Sequence, residues 1–281
     1  MSEMNIQIVD FGSADAPAEF TRSLKETGFA ALQNHPIKID LINNVYTEWE
    51  TFFQSDHKHD YRFHPEKQDG YFPFGVEHAK NYSKKDLKEF YHIYPWGRYP
   101  KELSTGTREL YKILCDIAGE LLIWVEENTP KEIKQKFSVP LEEMIIDSPR
   151  NLLRIIHYPP LRDTDAPDEV RAAAHEDINL LTVLCSATAP GLQAKDLEGS
   201  WHEVPCDPGM IVVNTGDMLQ MASEGYFPST THRVINPPGE DSQTSRMSMP
   251  LFLHPHDYVQ LSNTHTAGSY LNERLEEIGL I

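Results

Sequence analysis

The chain has 281 residues, with 43 acidic side chains against 25 basic ones and a formal charge of −18. That surplus disfavours nucleic acid or an anionic membrane as a partner, because the summed field repels a phosphate-rich surface. At 40% hydrophobic and 24% charged, the composition is that of a folded globular chain, and three cysteines without a C-x-x-C pair imply neither a disulfide framework nor a structural zinc cluster.

The start, Met1 to Phe20, has no basic n-region and no apolar h-region, and no run of 18 apolar residues occurs. A soluble protein in the reducing cytoplasm is the expectation. Gln7 to Phe11 is a short strand candidate, and helical patterns cover Glu19 to Thr27 and Lys38 to Phe53. From Thr107 to Glu127, Leu110, Ile113, Leu114, Ile117 and Leu121 recur at three- and four-residue spacing, marking an amphipathic helix that Asn128, Thr129 and Pro130 end. After Pro149 short β-rich runs alternate with turn residues: Leu152 to Tyr158, Leu180 to Cys185, Trp201 to Val204, Met210 to Asn214 and Thr231 to Ile235. Asp207 to Gly209 and Asn214 to Asp217 read as turns, and helical spacing returns over Ser269 to Ile278. Many short strands with frequent turns predict a sandwich or jelly roll, mainly β with flanking helices. No internal repeat is visible, so residues 1–100, an α/β region, and 101–281, a helix followed by the β region, are expected to form one integrated domain.

Single motifs prove little here. With 13 histidines in the chain, about one H-x-D triplet is expected by chance, and His175-Glu176-Asp177 is the only one. Its setting matters more. On a strand, residues i and i+2 share a face, so His175 and Asp177 can share a metal while Glu176 points away. His232 follows 57 residues later, far enough for the chain to cross to a facing strand and return. Two histidines and one carboxylate suit Fe(II) with three adjacent coordination positions open, two for a chelating 2-oxo acid and one for O2. Arg246 lies 14 residues beyond, consistent with the next antiparallel strand, and Ser248 shares its face. A guanidinium fork with a hydroxyl suits a buried carboxylate, and Tyr158, ahead of Pro159-Pro160, offers another hydroxyl. The pairs His57/His59 and His254/His256 lack a matching carboxylate and third ligand, and His64-Pro65-Glu66 sits in a polar segment; these read as packing or solvated residues.

Together these residues resemble the isopenicillin N synthase-like family of iron(II)- and 2-oxoglutarate-dependent oxygenases. The stretch His175 to Leu184 looks like that family's first ligand strand, Gly191-Leu192-Gln193 like the strand that follows, Asn214 to Asp217 with Leu219-Gln220 like its Gly-Asp turn, and His232-Arg233-Val234 like its distal ligand segment. Arg246-Met247-Ser248 with Phe252 looks like the carboxylate-binding strand. Val9-Asp10-Phe11, Gly28-Phe29, Asn34-His35, Phe52-Phe53 and Gly70-Tyr71 extend the similarity into the N-terminal third. The chain departs from the pattern at Pro36, where many members have Gly, and at Ile156, where plant members often have Asn.

The resemblance implies a double-stranded β-helix of jelly-roll, cupin-like form with Fe(II) on His175, Asp177 and His232 at its open end. It implies 2-oxoglutarate as co-substrate held by Arg246, Ser248 and Tyr158, O2 as oxidant, and a place for ascorbate as reductant. The expected reaction is oxidation of a small organic substrate with release of succinate and CO2; hydroxylation is the commonest outcome, and desaturation or ring closure are others. An Fe(II) oxidase or cyclase that does not use 2-oxoglutarate, and a non-catalytic ligand-binding member of the fold, remain open alternatives. Tyr71, Phe74, Tyr91 and Phe252 are the candidates for lining the substrate pocket. The oligomeric state and the primary substrate are not readable from the sequence.

Overall fold

The computed structural model describes residues 4–75, 86–162 and 169–277. Strand β1 (Ile8–Asp10) is followed by helix α1 (Ala16–Thr27), β2 (Phe29–Gln33), α2 (Ile39–Gln54), β3 (Gly70–Phe72) and β4 (Glu89–Ile93). The long α3 (Gly106–Glu127) and the short α4 (Lys131–Lys134) and α5 (Leu141–Ile145) come next. The β-rich part then runs through β5 (Leu152–Tyr158), β6 (Ala172–His175), β7 (Leu181–Cys185), β8 (Leu192–Lys195), β9 (Trp201–Glu203) and β10 (Ile211–Thr215). It continues through α6 (Asp217–Ala222), β11 (His232–Val234), β12 (Arg246–Leu253) and α7 (Ala267–Glu277). The predicted end of the last helix, Ile278, lies outside the described residues.

The strands form an eight-stranded sheet, in the order β1-β2-β10-β7-β12-β5-β4-β3, and a four-stranded sheet, β6-β11-β8-β9. Among the described strands only the β1–β2 pair is parallel. The core is a jelly roll with flanking helices. Strands from the first hundred residues complete both edges of the larger sheet: β2 pairs with β10, and β4 with β5.

Alternation along the strands divides the apolar residues into two cores. One set of the larger sheet, Leu153 and Ile155 on β5, Val183 and Cys185 on β7, Met247, Met249 and Leu251 on β12, packs with the buried stripe of α3 (Leu110, Leu114, Ile117, Leu121) and with Trp49 and Phe53 of α2. The alternate set, Ile156, Tyr158, Leu184 and Val212, forms a second cluster with Ala172, Leu192, Ala194 and Val234 of the smaller sheet. Because both faces of the larger sheet are covered, β7 and β10 are buried at every position, which is why they read as continuous apolar runs.

On the helix-facing side of that sheet sits a buried ionic group. The Glu89 carboxylate accepts hydrogen bonds from Lys58 Nζ at 2.9 Å and from Tyr71, and pairs with His157 Nδ1 at 2.8 Å. Burial by itself raises the Glu89 pKa, but the bonds from His157, Tyr71 and Lys58 outweigh it and hold the carboxyl below the usual value of 4.5. A carboxyl whose pKa is depressed on folding contributes stability that is present above its unfolded value and lost as pH falls through its folded one. Glu89→Gln is therefore expected to unfold at lower urea than the wild type at pH 7, with the gap narrowing as the pH drops below about 4.5. Parallel urea midpoints across pH 7 to 3.5 check this, and a gap that does not narrow contradicts it.

Candidate metal and co-substrate site

His175 and His232 are register partners on neighbouring strands β6 and β11 of the smaller sheet. The expected crossing to a facing strand is thus replaced by direct pairing within one sheet. The strand also stops at His175, so Asp177 reaches the same point from the loop beyond it and not by i, i+2 alternation. Glu176 does point outward, where its carboxylate accepts a hydrogen bond from Thr231 Oγ1.

The Asp177 loop is clamped by backbone contacts. Asp217 N donates to Asp177 O at 2.8 Å, Met218 N to Asn179 O at 3.1 Å, and Gly216 N to Leu180 O at 3.2 Å. A Cβ at Gly216 would lie 2.1 Å from Asn179 O, so only glycine permits this approach. The expected turn over Asn214 to Asp217 is in fact the end of β10 and the start of α6. Gly28, left-handed at φ 72°, ends α1 and leads into Phe29, whose ring stands edge-on to His232 with centroids 5.7 Å apart.

The ligand atoms of His175, Asp177 and His232 all lie within 4.8 Å of one another, and no other group of three His, Cys, Asp or Glu among the described residues is so arranged. Asp177 Oδ1 is 3.8 Å from His175 Nε2 and 3.7 Å from His232 Nε2. Each imidazole directs its other nitrogen, Nδ1, at a backbone carbonyl, Ala173 O at 2.7 Å and Thr230 O at 3.1 Å, which leaves the Nε2 lone pairs for a cation. The second Asp177 oxygen, Oδ2, accepts from Thr182 Oγ1 at 2.6 Å and Asn214 Nδ2 at 2.8 Å, so Oδ1 alone is presented. Burial raises the Asp177 pKa, but the neighbouring imidazoles and these two donors outweigh it and keep the carboxyl below its usual value; burial lowers that of His175. An ionised carboxylate beside a neutral imidazole is the protonation state a divalent cation requires.

Arg246 opens β12 opposite Tyr158 of β5, its guanidinium carbon 5.2 Å from the Tyr158 ring centre. It is 2% exposed; Nε donates to Ala189 O at 2.9 Å, while the buried Nη1 has no partner. Ser248, also buried, follows on the same face. The β11–β12 connection crosses between sheets, so the strand carrying Arg246 pairs with β5 and β7 and not with the His232 strand.

The pocket candidates separate. Phe252 pairs in register with Thr182, whose hydroxyl touches Asp177, and therefore flanks the three ligands. Phe74 lies under the Arg162 guanidinium at 4.8 Å. Tyr71 and Tyr91 are turned by alternation to the helix-facing side, against Phe53 and Trp49, with Tyr91 OH donating to Arg98 O at 3.0 Å. The sequence reading missed Arg154. Its guanidinium lies 4.4 Å from the Phe90 ring centre and 5.4 Å from that of Phe252, and its Nε donates to His92 Nε2 at 2.9 Å. An arginine in the middle of the apolar run Leu152 to Tyr158, on the face of Ile156 and Tyr158, was the available signal.

Residues 149–255 match the model of the 2OG-Fe(II) oxygenase superfamily, and residues 6–110 that of the N-terminal region described as non-haem dioxygenase in morphine synthesis. A crystallised Shewanella oneidensis protein assigned as an oxygenase is 52% identical with a TM-score of 0.90, the match covering 99% of this chain and 100% of that one. The chain belongs to the 2OG-Fe(II) oxygenase superfamily. A Caulobacter crescentus protein assigned to the same family shares 28% identity and a TM-score of 0.80 over 97% of this oxygenase and 99% of its own chain. Gibberellin 2-beta-dioxygenase 3 of Arabidopsis thaliana is 27% identical over 89% of this oxygenase and 75% of its own length. The protein is accordingly an oxidoreductase of the 2-oxoglutarate- and Fe(II)-dependent dioxygenase class, whose members use Fe(II), 2-oxoglutarate and O2. None of its described helices is long and apolar enough to cross a membrane.

Proposed function

We propose that this oxygenase hydroxylates a small organic substrate, with Fe(II) on His175 Nε2, Asp177 Oδ1 and His232 Nε2 and the distal carboxylate of 2-oxoglutarate on Arg246, Ser248 and Tyr158. One observation carries the reading: a three-ligand cluster with its lone pairs converging and a buried guanidinium nitrogen without a partner share the space between the two sheets. The donor set suits Fe(II), two neutral nitrogens and one anionic oxygen, and an unpaired buried cation calls for an anion. Bound Fe(II) supplies activation of O2 coupled to oxidative decarboxylation of 2-oxoglutarate to succinate and CO2.

The chain's own residues bind, orient and exclude water. Thr182 and Asn214 fix the carboxylate rotamer of Asp177, and the carbonyls of Ala173 and Thr230 fix the two imidazole rings. Phe252, Phe90 and Arg154 supply a wall of two aromatic faces and a guanidinium, which orients a substrate of small size. The isopenicillin N synthase-like pattern of the sequence, the acidic surface and the cysteine usage support a cytoplasmic enzyme of one integrated domain whose partner is a small molecule and not a nucleic acid or membrane.

The test begins with anaerobic addition of 2-oxoglutarate to the Fe(II) protein. A visible metal-to-ligand charge-transfer band is expected; its absence favours an oxidase that does without the 2-oxo acid. Oxygen uptake matched by succinate across a panel of small acids and heterocycles then checks turnover, and tight binding of a panel member without any turnover sinks the catalytic reading.

A further inference from the structure

A second arginine occupies the same buried space. Arg171 stands immediately before β6, on the smaller sheet, and is 1% exposed. One of its nitrogens, Nη2, donates to Thr244 O at 2.8 Å, two residues before Arg246, and its buried Nε has no partner. No carboxylate of the described residues forms an ion pair with Arg171 or Arg246. The buried Asp86, which reaches this region through Ala173, is already committed to Lys88 Nζ at 2.8 Å and Ala173 N at 3.0 Å. Desolvation, then repulsion from Arg246, lowers the Arg171 pKa to about 10, with Tyr158 acting in the opposite direction. Arg246 stands over the Tyr158 ring, and Arg171 reaches from before β6 to the backbone two residues ahead of Arg246, each guanidinium with a buried nitrogen that has no partner.

Burying two like charges without a counter-ion is unfavourable, so the pair is set to take up an anion. We propose that Arg171 is a second binding residue for the distal carboxylate of the 2-oxo acid, completing with Arg246 a two-sided clamp from the two sheets. A carboxylate has about four lone-pair sites and can accept from both forks, whereas a single Arg-Ser pair leaves part of them unused. The consequence is discrimination: the clamp favours a 2-oxo acid that carries a terminal carboxylate far above one that ends in a methyl group. This inference rests on the reading of the site as a 2-oxoglutarate site.

The experiment is an anaerobic titration of the Fe(II) protein, read from the charge-transfer band, with 2-oxoglutarate and with 2-oxopentanoate, which chelates metal equally but lacks the distal carboxylate. Arg171→Gln is expected to weaken 2-oxoglutarate at least tenfold and 2-oxopentanoate less than threefold, with a melting temperature near that of the wild type. Equal weakening of both acids assigns Arg171 a structural role through Thr244 and overturns the proposal, as does an unchanged affinity for 2-oxoglutarate. Should Arg171→Gln fail to fold, Arg171→Lys decides: a loss of three- to tenfold confined to 2-oxoglutarate supports the clamp, and wild-type affinity overturns it. A wild-type protein that gives no band with either acid overturns the proposed function itself, an outcome distinct from a wild type that binds 2-oxoglutarate and a variant that binds it equally well.

Discussion

Asp177→Ala is expected to abolish turnover and to weaken binding of Fe(II) by more than about 100-fold, beyond the roughly 10- to 100-fold that loss of a residue orienting a metal ligand costs. The expectation follows from the division of labour between the two carboxylate oxygens. Oδ1 supplies the only anionic ligand of the cluster, and Oδ2 is held by Thr182 and Asn214. Without the carboxylate two neutral imidazoles remain, and Thr182 and Asn214 lose their acceptor, which adds about 1–3 kcal/mol of destabilisation for unsatisfied buried donors. Thr182→Val provides the graded comparison: all three ligands stay, Asp177 Oδ2 keeps only its bond from Asn214, and the loss in metal affinity is expected in the roughly 10- to 100-fold range. Anaerobic Fe(II) titration of both variants, beside a thermal melt to show that each is folded, measures the two effects. Metal affinity of Asp177→Ala within a few-fold of the wild type would remove the centre from this position.

Arg246→Leu is expected to raise the dissociation constant of 2-oxoglutarate by about 30-fold to several thousand-fold, the equivalent of about 2–5 kcal/mol for truncating one partner of a buried, hydrogen-bonded charge pair. The same substitution is expected to leave Fe(II) affinity nearly unchanged, because Arg246 lies at the other end of β12 from Phe252, the residue level with the ligand cluster. Stability of the ligand-free protein is predicted to change little, since a buried cation without a counter-ion is replaced by an apolar side chain and what is forfeited is the bond to Ala189 O and the contact with the Tyr158 ring. Isothermal titration with 2-oxoglutarate and with metal, each on the other-saturated protein, separates the two affinities; parallel losses in both would argue for general collapse of the barrel.

The elements that the sequence exposed most clearly are those whose pattern is set by one local rule. The stripe of Leu110, Leu114, Ile117 and Leu121 needs only a 3.6-residue period, and α3 spans Gly106–Glu127 where Thr107 to Glu127 is expected. Strand β5 runs from Leu152 to Tyr158 as the apolar run suggests. Strands β3 and β4 and the short helices α4, α5 and α6 had no such signature. They are three to six residues long, below the length at which periodicity can be read, and tertiary contacts hold them. The start of α1 at Ala16, three residues before the expected Glu19, reflects Pro17 in its first turn, a position where proline's missing N–H is harmless.

For the proposed site, the five residues His175, Asp177, His232, Arg246 and Ser248 stood out in the sequence because their spacing and chemistry resemble a known pattern, and the residues around them did not. Tyr71 and Tyr91 illustrate the reason. An aromatic residue on a strand buried on both faces looks the same whichever side it takes, and a single-residue change of register moves it from one core to the other. The sequence by itself determined the class of chemistry, the three ligands to be looked for and the all-antiparallel character of the C-terminal half. Only the tertiary structure decided that His175 and His232 pair within one sheet, that Asp177 arrives from a loop clamped at Gly216, and that Arg171, just before β6, reaches the backbone two residues ahead of Arg246. Those facts depend on which strands become neighbours, and strand neighbourhood is fixed by contacts between segments far apart in the chain, where local periodicity carries no information.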